Sequence, residues 1–211
     1  IMKKLISIIT FAVAVNLSGA HAQDSKAGAI IDAMQKKYKS MKSFSATFTY
    51  GADGSKQLLK GDITVKGQKY RLKLAGQELF NNGKDVATYI KETNEVNISE
   101  YEPSENDLNP AKVYSFDKKG YKYTFVGEAK EGANTYEVVE LSPEKKGGQV
   151  SKVKIKVNKA DKSVGGWTII DKSGKRQTFS VSKFVPNVNV DDKFFSFDKS
   201  KYPGVEINDL R

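Results

Sequence analysis

The sequence predicts a mainly β protein with a few helices (α+β). Its expected architecture is a single antiparallel sheet curled into an incomplete barrel, closed by an N-terminal helix and a mid-chain helical lid. Three observations predict it. Roughly ten short runs alternate apolar with polar residues, the period of a strand with one dry face. Turn signals such as Asp53-Gly54, Asn82-Gly83 and Ser173-Gly174 separate many of these runs and make sequential neighbours antiparallel. One dry face on so many strands must curl on itself or be covered.

The elements follow in order. Lys3 and Lys4 precede a mostly apolar run from Leu5 to Leu17 and the small-x-small site Ala20-His21-Ala22, the organisation of a secretory signal peptide. Residues 1–22 are expected to be removed, leaving one domain over 23–211 exported to the periplasm. The apolar run is shorter than the roughly 20 residues that span a bilayer, and no later stretch is apolar enough to do so. Ser25 to Met41 carries Ala29, Ile30, Ala33, Met34, Lys37, Tyr38 and Met41 at helical spacing, with Ser25 as the expected cap.

Strands then take over. Phe44, Ala46, Phe48 and Tyr50 share one parity, and Ser45, Thr47 and Thr49 the other. Leu59, Gly61, Ile63 and Val65 follow, then Tyr70, Leu72 and Leu74 alternating with Lys69, Arg71 and Lys73. Leu79 and Phe80 lead into the Asn82-Gly83 hairpin, and runs from Val86 to Lys91 and Glu95 to Tyr101 complete this half. Pro103 and Pro110 break the pattern, because proline cannot sit in a central strand. Asn109-Pro110 reads as a helix start, so a short helix to about Phe116 is expected, carrying Val113, Tyr114 and Phe116. Strand patterns resume at Tyr121–Phe125, Tyr136–Leu141, Val153–Val157, Trp167–Asp171 and Arg176–Val185. Phe194–Phe197 and Val205–Leu210 are expected to be strands as well.

Composition excludes several chemistries. There is no cysteine, and the only histidine, His21, lies in the expected leader. A mature chain without His or Cys has no His-based acid–base catalysis, no Ser-His-Asp or Cys-His nucleophile and no ordinary zinc site. The spacing S-x-x-K occurs at Ser115-Lys118, Ser142-Lys145, Ser151-Lys154, Ser180-Lys183 and Ser196-Lys199, close to chance in a chain this rich in both residues. Its companion motifs are absent. The carboxylates Glu100, Glu102, Glu105 and Asp107, and the pair Asp191-Asp192, sit in loop patterns and read as solvated charge. The formal net charge is +10 and nearly all of it is lysine; the arginines are Arg71, Arg176 and Arg211. Nucleic-acid readers favour arginine forks, so no nucleic-acid partner is expected. Lys152, Lys154 and Lys156 read as a wet lysine-rich face. The chain is not expected to be an enzyme or to hold a metal or cofactor.

Three stretches carry a resemblance: YKSMKSFSATFTY, the run from KGDITVKGQKYRL through ELFNNGKDVATYIKETNEVNI, and the tail FFSFDKSKYPGVEINDLR. In this order they resemble the LolA family of periplasmic outer-membrane lipoprotein carriers. The resemblance implies a monomeric half-barrel whose apolar cavity shields lipoprotein acyl chains. It implies transfer from an inner-membrane ABC-type release complex to an outer-membrane acceptor. By the same resemblance, Phe44, Phe48, Ile63, Val65, Tyr70, Leu72, Leu74, Leu79 and Phe80 match cavity positions, and Leu108, Val113 and Phe116 match the lid. Which of Leu79 and Phe80 faces inward stays open. Alternation alone reads the strand positions as packed core; the resemblance makes them a cavity wall. Where some members have Arg-Pro after the second strand, this chain has Gly67-Gln68, so a mechanism resting on that arginine does not carry over. A half-barrel sensor or adaptor binding a protein or lipid partner in envelope-stress signalling is the alternative reading.

Overall fold

The computed structural model describes residues 24–102, 111–145 and 147–211. The expected leader, residues 1–22, and Leu108 lie outside the described residues. One helix, α1 (Ser25–Lys39), precedes β1 (Phe44–Ala52), β2 (Leu59–Lys66), β3 (Lys69–Leu74), β4 (Gln77–Asn81), β5 (Asp85–Ile90) and β6 (Glu95–Glu100). The second half holds β7 (Tyr121–Glu131), β8 (Asn134–Pro143), β9 (Val150–Asn158), β10 (Val164–Asp171), β11 (Arg176–Pro186) and β12 (Glu206–Asp209). All the strands form one sheet in the order β12-β6-β5-β4-β3-β2-β1-β11-β10-β9-β8-β7, which is not closed into a barrel.

Two expectations are corrected. The sheet is mixed, not wholly antiparallel: β12 pairs with β6 in parallel, Glu206 to Asp209 beside Glu95 to Ile98. Phe194–Phe197 is not a strand. Asp192–Phe195 is a 3-10 turn, because the Asp191 carboxylate accepts a hydrogen bond from the Lys193 N–H at 2.8 Å and caps it. Asp192 then holds Lys66 at 2.8 Å and Lys69 at 2.6 Å. Hydrogen bonds from Lys66 and Lys69 keep its carboxyl down at about 2. The adjacent aspartates are thus a cap and a clamp that fasten the C-terminal tail to β2 and β3.

The helix starts one residue earlier than expected. Asp24, not Ser25, is the cap. Its two carboxylate oxygens let it do two jobs: it accepts from the Ala27 N–H at 3.0 Å and from the Phe125 N–H of β7 at 2.8 Å. The cap therefore docks the helix on the sheet as well as starting it. Ala27, Ile30, Ile31, Met34 and Tyr38 are buried against that sheet.

Strand alternation sorts the rest. On the inner face Phe44, Phe48, Ile63, Val65 and Leu72 join Val139, Leu141, Val153, Ile155, Trp167 and Phe179 in one core under α1. On the outer face lie Lys152, Lys154 and Lys156, matched to Glu140 and Glu131 across strands. That face is a wet ion-paired surface, and each such exposed pair contributes little to stability.

Inner packing is close where β1 pairs with β2. The β1–β11 register shifts between Thr47 and Phe48, where Ser182 of β11 is the extra residue of a bulge. The Phe48 ring lies directly over Gly61: a Cβ there would sit 2.5 Å from Phe48 Cζ and 3.0 Å from the Lys73 carbonyl oxygen. Gly61→Ala should therefore cost about 1–3 kcal/mol, the usual cost of overpacking. Urea unfolding checks it, and an unchanged midpoint would contradict the packing.

Candidate functional site

The inner face opens to solvent beside the end of α1. Between the end of α1, the start of β1 and the β2–β3 turn lies a cavity of about 330 Å³. Phe44, Val65 and Tyr70 form its apolar wall, with Tyr38, Met41 and Tyr114 beside them. Such a volume falls at the lower end of small-molecule pockets. A second, inner void of about 20 Å³ lies deeper, among Phe48, Ile63, Val113, Trp167 and Val181.

Tyr38, Phe44 and Tyr114 line both spaces and so form an aromatic septum. Tyr38 stacks on Tyr114 with centroids 4.7 Å apart, and both rings stand edge-on to Phe44 at 5.3 and 5.0 Å. Phe184 closes the fourth side, 5.5 Å from Phe44. Tyr38 is fixed, since its hydroxyl accepts from the Val164 N–H at 3.1 Å. Burial pushes both phenols well above the ordinary tyrosine value, so the septum stays neutral. Tyr114 belongs to a different kind of element. Residues 111–115 are turns rather than the expected helix, with one i→i+3 bond from the Ser115 N–H to the Lys112 carbonyl at 2.8 Å. Gln35 of α1 ties this segment down by donating to the Phe116 carbonyl at 2.7 Å, and Lys118 pairs with Asp32.

The structure brings most of the expected cavity residues together. Phe44, Val65 and Tyr70 line the open cavity, and Phe48 and Ile63 surround the inner void. Leu72 is buried in the same core, with Leu74 and Leu79 half-buried at its margin. Val113 and Phe116 are buried beneath the turn segment. Phe80 is the exception. Leu79 pairs with Leu72 and points inward, so Phe80, paired with Arg71, points outward. It packs with Val96 and Val205 in a satellite cluster under the C-terminal tail. Of the two, Leu79 faces inward, and the placing of Phe80 at the cavity is corrected on that ground. Sequence reasoning misses the septum: Tyr38 reads as one member of a helix stripe, Tyr114 as one member of a short helix, and Phe184 does not stand out. Their only signal is aromatic parity on three separate elements.

A curled, unclosed sheet whose apolar inner face reaches solvent through an aromatic-walled cavity defines a half-barrel binding domain. Residues 37–198 match the family described as outer membrane lipoprotein carrier protein LolA, and the chain belongs to that family. Solved structures agree on the fold. An uncharacterised conserved protein from Thermus thermophilus is 14% identical, covers 87% of this chain and 99% of its own, and superposes with a TM-score of 0.62. The lipoprotein LppX of Mycobacterium tuberculosis is 14% identical over 77% of this chain and 97% of its own, with a TM-score of 0.50. MucB is 13% identical over 83% of this chain and 64% of its own, with a TM-score of 0.51. No curated protein matches the chain significantly.

Proposed function

We propose that this chain is a periplasmic carrier that shields lipoprotein acyl chains on its inner face. It takes them from an inner-membrane ABC-type release complex and hands them to an outer-membrane acceptor. The observation that carries the reading is the open cavity itself, whose apolar wall is Phe44, Val65 and Tyr70 beside a septum leading to the core. Family membership supports the same reading. Each buried CH₂ contributes about 0.8 kcal/mol, so a free acyl chain does not cross an aqueous compartment at a useful rate without such a wall. The work is non-covalent, with no catalytic step and no cofactor.

In the described conformation the inner void holds only about 20 Å³, too little for an acyl chain. Loading requires Tyr114 to leave the septum, which joins the cavity to the space around Phe48 and Trp167. Cargo then competes with the chain's own aromatic packing, which makes release possible without an energy source on the carrier.

The test is uptake of a fluorescent triacylated lipopeptide by the purified protein. Phe44→Glu and the half-buried Leu79→Glu should each weaken uptake at least about tenfold, because a carboxylate in an apolar wall costs more than about 1.4 kcal/mol. Circular dichroism establishes that the variants are folded. A wild-type protein that takes up no lipopeptide, or folded variants that bind as well, would overturn the reading.

A further inference from the structure

We infer that the open cavity selects amphiphiles with an anionic headgroup, a carboxylate or a phosphate, held at the rim by Lys39 and Lys42. This rests on the acyl-binding reading above and adds a headgroup preference to it. The cavity has two chemically distinct ends. Its depth is Phe44, Val65 and the septum tyrosines. Its rim carries Lys39, Lys42 and Lys112 with neutral Gln35, Gln68 and Ser115, and no aspartate or glutamate is among the described residues that line it.

Lysines that lie beside a carboxylate are paired with it: Lys37 to Asp161, Lys66 and Lys69 to Asp192, Lys152 and Lys154 to Glu140, Lys159 to Glu128, Lys162 to Glu137. Lys39 and Lys42 form no ion pair among the described residues. Lys39 gains something from the C-terminal end of α1, where cations are favoured. Lys42 lies beyond the helix and is exposed. Two unmatched cations over an apolar hole complement a ligand with an apolar tail and a negative head. A charge-assisted contact of this kind distinguishes an anionic from a neutral head by about tenfold or more, and salt screens it.

The experiment is displacement of a dansyl-labelled undecanoate by a series sharing one sixteen-carbon tail: palmitate, palmitoyl lysophosphatidate, palmitoyl lysophosphatidylcholine and hexadecanol. Inorganic phosphate alone is a further arm. Palmitate and lysophosphatidate should displace the probe about tenfold more tightly than the zwitterionic and neutral members. The advantage should shrink as salt rises. The double variant Lys39→Gln/Lys42→Gln should lose it while its affinity for hexadecanol is unchanged. The relative strength of palmitate and lysophosphatidate tells which head is preferred. Equal displacement by all four tails would overturn the inference and leave the carrier reading standing. Displacement by inorganic phosphate as effective as by lysophosphatidate would overturn it in favour of a simple anion site. Failure of every amphiphile to bind would overturn both readings.

Discussion

Alanine in place of Trp167 is expected to lower the unfolding free energy by about 3–5 kcal/mol, the range for deleting a large buried aromatic side chain. The indole is 3% exposed. It stacks on Phe179 with ring centroids 4.5 Å apart and planes 5° from parallel, and it lies 6.4 Å from the Phe48 ring. Offset stacking adds to the area term. It pairs with Ile155 on one side and Phe179 on the other, so its loss leaves a hole in the middle of the sheet's inner face. It is the chain's single tryptophan, so urea unfolding of the variant must be followed by circular dichroism. A loss below about 1.5 kcal/mol would show that neighbouring side chains collapse into the gap.

The second large effect lies on the outer face. Glu78 accepts from Arg71 Nε at 2.5 Å and from the Tyr202 hydroxyl at 2.9 Å, with Lys73 at 3.2 Å. The Arg71 guanidinium lies 4.6 Å from each of the Phe80 and Phe194 rings. These contacts join β3, β4 and the C-terminal tail. Glu78→Ala would leave Arg71, whose side chain is 17% exposed, without its carboxylate. The expected cost is about 3 kcal/mol, at the low end for breaking a buried pair by removing one partner. Burial raises the Glu78 carboxyl, but hydrogen bonds from Arg71 and Tyr202 outweigh it and hold the group below its ordinary value of 4.5. A depressed folded value means the stabilisation is fully present above 4.5 and is lost as pH falls toward the folded value. Wild type and Glu78→Ala should therefore differ in urea midpoint near neutral pH and converge below 4.5. A pH-independent gap between them would contradict the assignment.

The sheet and its inner face are legible in the sequence because alternation is a local signal. Phe44, Phe48, Ile63, Val65, Tyr70 and Leu72 all fall on the dry side as their parity requires. What escapes is decided by distant contacts. Leu79 and Phe80 are adjacent apolar residues, and only their pairing with Leu72 and Arg71 settles which face each takes. The Phe194–Phe197 run has strand-like composition, but a capping aspartate before it and a fully buried Phe195 beneath the tail turn it into a 3-10 turn. The parallel pairing of β12 depends on where a tail folded over the outer face returns to the sheet, which no local pattern encodes. The septum joins Tyr38, Phe44, Tyr114 and Phe184 from four separated segments. In the sequence these are four ordinary core aromatics. Their arrangement as a partition between an open cavity and a nearly filled void exists only in three dimensions.

On the carrier reading proposed above, the inner face opens to acyl chains past Tyr114. Trp167 lines the inner void, so its emission reports what enters there. The direct measurement is quenching of Trp167 by a lipopeptide with brominated acyl chains, against the same lipopeptide unbrominated. Strong quenching at stoichiometric lipopeptide, with little from the unbrominated control, is the predicted result. Binding of the brominated lipopeptide with Trp167 emission unchanged would place the chains outside the core and contradict the claim.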